Sequence, residues 1–158
     1  MTKRVIIFGS QQTAQLAEYY LTEDTDYEVD SFTIHNPKAP HTAFSEKPLL
    51  PFADIVKLRP PEEYLMFAPM MASGVNRNRL SIFNTGLALG YSFISYVSTK
   101  ATVLTENIGR NCFILENQTI QPLVSIGNNV MLWSGNHIGH GTEIGDHTYL
   151  ASHVVISG

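Results

Sequence analysis

From Ile108 onward an aliphatic residue returns at every sixth position: Ile108, Ile114, Ile120, Ile126, Leu132, Ile138, Ile144, Leu150 and Ile156. Glycine follows it at Gly109, Gly127, Gly139 and Gly145. An α-helix requires apolar spacings of three and four and a half-buried strand requires two, so a strict period of six fits neither. At eighteen residues the segments headed by Ile108-Gly109, Ile126-Gly127 and Ile144-Gly145 align column on column. A chain of this kind has few ways to fold. The pattern predicts a parallel β-helix whose coils have three short flat faces and three corners. One aliphatic side chain per face points inward and stacks on its counterpart eighteen residues later. Glycine and asparagine at the corners accept tight or left-handed backbone. A single coil cannot bury its own core, so neighbouring coils must cover one another.

Carried backward over residues 89–106, the same frame puts Tyr96 and Thr102 at the inward positions, which predicts an irregular first coil. At the other end the sequence stops at Gly158, midway through a coil, without a polar cap or a helix. An open last coil offers unpaired backbone. The expectation is that the β-helix is truncated at its C-terminus and that the natural chain is longer.

The first half reads differently. Arg4 to Phe8 is a buried-strand run, and Leu16, Ala17, Tyr20 and Leu21 of the following segment share a helical stripe. Glu28 to Ile34 alternates as a second strand, and Ile55 to Leu58 reads as a short third. Glu62 to Met66 has helical character and passes into a fourth strand over Leu65 to Ala68. The run from His35 to Pro51 carries four prolines and reads as a loop. Alternating strands and helices predict an α/β, Rossmann-like unit with a small parallel sheet. Asn78 to Leu89, with Leu80, Phe83 and Leu87 on one face, reads as a helix leading into the coils. The expected division is an α/β domain over 1–76, a connecting helix over 77–90 and the β-helix over 91–158.

Composition narrows the classes of partner. Hydrophobic residues are 44% and charged residues 15%, light for a free surface, which points to area buried against another subunit. The net charge of -4 and the scattered Lys and Arg argue against nucleic acid and anionic membranes. The single Cys112 excludes an intrachain disulfide and fits a reducing compartment. The apolar run Val5 to Phe8 breaks at Gly9, too short for a leader or for membrane insertion, so a cytoplasmic location is expected.

The residues able to do chemistry cluster in the coils. His140 follows a corner, and its column holds only Pro122 and Gly158 in adjacent coils, so an imidazole there has room to take a proton near neutral pH. Backbone amides at that glycine-rich corner could serve a developing oxyanion. The competing reading is a solvated corner histidine. Trp133 occupies a corner column where other coils have smaller groups, fit for a subunit groove, a ligand or ordinary packing. Asn136 and His137 flank the same turn, and Glu143 is the nearest acidic residue after His140. Phe113, Met131 and Tyr149 form one column, read as an apolar stripe against a neighbour. His147 and His153 read as solvent-facing or interfacial. No metal site is expected, because no Cys or carboxylate cluster accompanies the histidines. In the first half, Gly9, Ser10 and Gln11 form a strand-to-helix turn of the kind whose amides hold phosphate. It lacks the remaining glycines of G-x-G-x-x-G, so it is not the dinucleotide fingerprint. His35 and Asn36 end the second strand, on the side where such sheets bind ligands.

The hexapeptide array together with the N-terminal RVIIFG strand-turn resembles bacterial sugar acyltransferases of the sialic-acid O-acetyltransferase type, across essentially the whole chain. The resemblance implies a left-handed β-helix, a homotrimer with active sites between subunits, and acetyl-CoA as acyl donor without a metal. It implies a nucleotide-linked amino sugar as acceptor, for surface glycans such as lipopolysaccharide. Gly9, Ser10, Gln11, His35 and Asn36 would then bind the nucleotide. The family histidine that deprotonates the sugar falls on His140, with Trp133, Asn136, His137, Glu143 and Tyr149 as expected contacts to substrate or acetyl-CoA. Two positions depart from the family: an acidic residue that usually follows the histidine is Gly141, and a further histidine falls on Tyr149. The leading expectation is N-acetyl transfer. A sugar O-acetyltransferase, a transferase using another acyl-CoA and a non-catalytic trimeric scaffold are the alternatives.

Overall fold

The computed structural model describes residues 3–37 and 43–158. Residues 38–42 of the expected loop, and the first two residues of the chain, lie outside the described residues. The chain divides into two compact units, Met1–Met71 with Ser81–Phe93, and Ala72–Leu80 with Ile94–Gly158.

In the first unit β1 (Lys3–Phe8) is buried from Val5 to Phe8, as a continuous apolar run should be when both faces of a parallel sheet are covered. Helix α1 (Gln12–Asp24) follows, burying Ala14, Ala17 and Leu21, and leads to β2 (Tyr27–Ile34). The five-stranded sheet continues with β3 (Ala43–Phe44), β4 (Lys47–Pro51) and β5 (Tyr64–Phe67), in the order β3-β4-β2-β1-β5. All pairings are parallel except β3 with β4.

Three expectations change here. The proline-rich stretch is not all loop: Ser45 and Glu46 both take left-handed backbone (φ 51° and 63°) and turn a hairpin, after which Leu49 to Pro51 pair with β2. Ile55 to Leu58 is not a strand but the one-turn helix α2, entered through a 3₁₀ turn at Phe52–Asp54. A four-residue apolar run cannot decide strand from helix by its period. Glu62 and Glu63 lie in a turn, and β5 starts at Tyr64.

Helix α3 (Arg77–Ala88) also differs in its face. Arg79, Ile82, Phe83 and Gly86 are buried, whereas Leu87 is exposed and Leu80 half-buried. A Cβ on Gly86 would stand 2.5 Å from the Phe93 ring, so the packing there needs glycine.

The second unit is a left-handed parallel β-helix of two-residue strands. One face stacks β6 (Tyr96–Val97), β8 (Phe113–Ile114), β11 (Met131–Leu132) and β14 (Tyr149–Leu150). The next stacks β7 (Thr102–Val103), β9 (Thr119–Ile120), β12 (His137–Ile138) and β15 (Val155–Ile156). The third stacks β10 (Ser125–Ile126) on β13 (Glu143–Ile144), with Ile108 bridging to Ile126. All nine residues of the six-residue series belong to one core, joined by Cys112, Val124 and Val130.

The first coil is out of the expected register. Val97 and Val103, not Tyr96 and Thr102, pair with Ile114 and Ile120, seventeen residues on, while Ile108 and Ile126 are eighteen apart. One residue is therefore missing from the corner between Val103 and Ile108.

The corners have their own period of six. Asn111, Asn117, Leu123, Asn129, Gly135, Gly141, His147 and His153 all have φ between 56° and 84°, each three residues after an inward position. The glycines of the Ile-Gly pairs do something else: a Cβ on Gly109 would lie 2.6 Å from the Gly127 carbonyl carbon in the next coil. Gly109, Gly127 and Gly139 are needed for close backbone approach rather than for left-handed geometry, whereas a Cβ on Gly145 would meet nothing within 4 Å. One corner is stitched by side chains: Asn111 Nδ2 donates to Asn129 Oδ1 (2.7 Å) and Asn129 Nδ2 to His147 Nδ1 (2.9 Å).

Candidate functional site

In the β-helix His140 stands at the corner between β12 and β13, with its side chain exposed. Its backbone N–H donates to Gln121 Oε1 in the preceding coil, at 2.8 Å. On the other side the chain at Gly158 runs against it, where a Cβ would lie 3.1 Å from His140 Nδ1 and 3.2 Å from Cε1. The ring thus occupies room that a side chain at 158 would take.

The amides expected to serve an oxyanion are already engaged. His140 N–H goes to Gln121, Gly141 N–H to the Pro122 carbonyl (3.3 Å) and Thr142 N–H to the Gly139 carbonyl (3.3 Å). Gly141 itself is left-handed (φ 69°), with nothing within 4 Å of the place of a Cβ.

Of the other expected contacts, His137 is half-buried in β12 and Glu143 exposed in β13, so these two flank the His140 corner on adjacent faces. Tyr149 is half-buried on the face of β6, β8, β11 and β14, paired with Met131. Trp133 begins the corner after that face, and its Nε1 is buried without a hydrogen-bond partner. Asn136 lies inside the coil: it is 1% exposed, its Nδ2 donates to the Trp133 carbonyl (2.5 Å), and its Oδ1 accepts from Val154 N–H (2.7 Å). One end of that amide serves its own coil's backbone and the other the backbone of the next coil. His147 closes the asparagine ladder, and the His153 ring fills the space over Gly135.

The expected apolar stripe is covered within the unit at Phe113 and Met131, while Tyr149 stays half-buried. Phe113 and Met131 are buried, and Arg79 of α3 reaches the same surface. Arg79 Nη2 donates to the carbonyls of His147 (2.8 Å) and Thr148 (3.2 Å), and Nη1 lies 3.5 Å from Met131 Sδ. Burial pulls its pKa down to about 10, offset in part by Cys112 and Tyr149, so it remains charged at neutral pH. Burial pushes the Cys112 thiol up, as suits a core residue whose Sγ lies 3.1 Å from the Gly127 carbonyl oxygen. Sequence reasoning passed over Arg79; its only mark is a position in step with Ile82, Phe83 and Gly86.

In the first unit the two expected segments come together. Phe8 pairs with Thr33, so Gly9 to Gln11 and His35 to Asn36 leave adjacent strands at the same edge of the sheet. Gly9 has φ 133°, and its N–H donates to the Thr33 carbonyl (2.9 Å). Helix α1 has no side-chain cap from Gln11 and no acidic residue in its first turn, although the Ala14 N–H already donates to the Gln11 carbonyl (2.9 Å). The His35 ring meets Phe8 and Phe52 edge-on, with centroids 5.5 and 5.6 Å away. β1 is where the strand order reverses, with β2 on one side and β5 on the other, and open α/β sheets bind ligands beyond the strand ends at such a point. Among the described residues no group of three or more His, Cys, Asp or Glu could hold a metal ion. No helix among them is long and apolar enough to cross a membrane.

Residues 123–158 match the family model described as bacterial transferase hexapeptide (six repeats). No curated protein matches the chain by sequence. Solved structures do match by fold. The acetyltransferase domain of PglB from Neisseria gonorrhoeae, in complex with acetyl coenzyme A, superposes with a TM-score of 0.83 at 15% identity, over 100% of this chain and 75% of that one. A histidine-to-asparagine mutant of perosamine N-acetyltransferase from Caulobacter crescentus, in complex with CoA and GDP-perosamine, gives 0.77 at 17% identity, over 96% and 70%. WeeI from Acinetobacter baumannii gives 0.66 at 15%, over 99% and 73%. At these identities what is shared is the fold: a small α/β unit followed by a hexapeptide β-helix.

Proposed function

We propose that this chain transfers an acetyl group from acetyl-CoA to the amino group of a nucleotide-linked amino sugar, with His140 as general base. The observation that carries the reading is the seat of His140. An exposed imidazole stands at a β-helix corner, anchored through its backbone to the coil before it and given room by Gly158 after it. Support comes from fold neighbours described with acetyl coenzyme A in one case and with CoA and GDP-perosamine in another.

The imidazole accepts a proton as the sugar nitrogen attacks the thioester carbonyl. The C–N bond forms, the C–S bond breaks, and the proton passes to the departing thiolate, giving an acetamido sugar and coenzyme A. A free amine needs less help from the base than a hydroxyl does, which suits a histidine followed by Gly141 rather than by a carboxylate.

The amides of His140, Gly141 and Thr142 are engaged within the chain, so the oxyanion is served from elsewhere. Tyr149 and Trp133 lie away from the His140 corner. In this reading the protein is a homotrimer, and these residues complete a neighbouring copy's site along the acetyl-CoA groove. Gly9, Ser10 and Gln11 receive the nucleotide phosphates at the start of α1, beside His35 and Asn36.

The test is coenzyme A thiol release from acetyl-CoA with a panel of UDP-, dTDP- and GDP-linked amino sugars, beside His140→Ala. The expected result is turnover of one sugar that drops by about 10²- to 10⁴-fold in the variant. Turnover untouched by the substitution would remove His140 as the base.

A further inference from the structure

The geometry points to Gln121 as the positioning residue of His140, an inference that rests on the reading of His140 as the base. A general base has to be held in one place relative to the proton it takes, and looseness on the order of 1 Å is costly. The residue after His140 cannot supply that hold here. Gly141 has no side chain, and its left-handed backbone (φ 69°) is unwelcoming to most residues that would bring one.

The hold comes from a different coil. Gln121 follows Ile120 of β9, its backbone N–H donates to the Ile138 carbonyl at 3.0 Å, and its side-chain Oε1 accepts the His140 N–H at 2.8 Å. One residue is therefore pinned to β12 by its backbone and to the next corner by its side chain. Pro122, directly after it, accepts the Gly141 N–H at 3.3 Å, so two consecutive amides of the corner are tied to one dipeptide. The His140 backbone is thus held from the preceding coil, while Gly158 in the following coil leaves the imidazole its room, since a Cβ there would fall 3.1 Å from Nδ1.

Gln121 acts through the His140 backbone, so its loss should reduce turnover without changing donor binding. Gln121→Leu keeps much of the bulk and removes the acceptor, whereas Gln121→Glu keeps an acceptor oxygen at the same reach. Two measurements on the full chain test this. By hydrogen exchange, Gln121→Leu should speed exchange of the His140 amide about five- to tenfold, the worth of one hydrogen bond of about 1 kcal/mol, leave Gly139 unchanged, and be reversed by Gln121→Glu. In the acetyl-CoA assay with the amino sugar that turns over, Gln121→Leu should lower kcat about tenfold with KM for acetyl-CoA within about twofold, and should cost nothing further in a His140→Ala background.

Unchanged protection at His140 in Gln121→Leu would overturn the inference. So would a fall confined to KM, or a loss that persists at full size without His140. A His140→Ala variant that keeps full turnover would overturn the base reading itself and, with it, any catalytic purpose for Gln121. Full loss in His140→Ala with none in Gln121→Leu would leave the base standing and sink Gln121 alone.

Discussion

Leu123 sits at a corner that its side chain should disfavour. It has φ 65° and is 82% exposed, while the equivalent corners elsewhere carry mostly Asn and Gly. A left-handed conformation costs an ordinary L-residue about 1–2 kcal/mol, and asparagine tolerates it far better. Full burial of a leucine is worth roughly 1.5–3 kcal/mol, but Leu123 hides only about a fifth of its surface, so about 0.5 kcal/mol is forfeited on replacement. Leu123→Asn should therefore stabilise the chain by about 1 kcal/mol, or about 2–4 °C in Tm for a protein of this size. The assay is chemical and thermal unfolding beside Leu104→Asn, a control at another exposed leucine that is not left-handed and should gain nothing. Destabilisation by Leu123→Asn, above all one that grows on dilution, would refute the strain argument and show that a second copy covers this corner. An equal gain from Leu104→Asn would refute it as well.

Gly141→Ala should cost about 1 kcal/mol by denaturant unfolding although its Cβ meets nothing, because the cost is conformational. Gly127→Ala should be far worse, abolishing cooperative unfolding or soluble expression, since its Cβ would lie 2.7 Å from the Asp146 backbone nitrogen. Cys112 should resist alkylation in the native chain at pH 8, where burial keeps the thiol protonated, and react promptly once denaturant is added, as thiol titration would report. Arg79→Lys should destabilise by about 1–3 kcal/mol, because one ammonium cannot reproduce the planar contacts to two carbonyls and Met131; unfolding midpoints of the two proteins test this.

The coil core was legible because burial on a β-helix face repeats with the chain itself: each of the nine aliphatics from Ile108 to Ile156 has one neighbour type, the same position one coil away. The first coil was not, since a residue dropped from a corner leaves no mark where it is missing, and a strict period of six falls on Tyr96 and Thr102 although Val97 and Val103 make the pairs. The β3–β4 hairpin turns on Ser45 and Glu46 without the Gly or Asn that announces such a turn. Arg79 hid for another reason: a buried arginine reads as surface unless the carbonyls it meets are known. The seat of His140 was half visible. Gly158 is in its column, but Gln121 is nineteen residues away and one step out of register, so no alignment of coils brings it forward.

Arg79 also bears on where this chain can be cut. The first residues of α3 group with the β-helix and the later ones with the α/β unit, so a single helix serves two cores. A fragment begun at residue 91, at the apparent start of the coils, would leave out the guanidinium that binds the carbonyls of His147 and Thr148 and touches Met131. A β-helix fragment intended to fold alone should begin at or before Ala72 and keep the helix. A fragment of the α/β unit that stops short of Phe93 would lose the ring that packs on Phe83 and closes over Gly86.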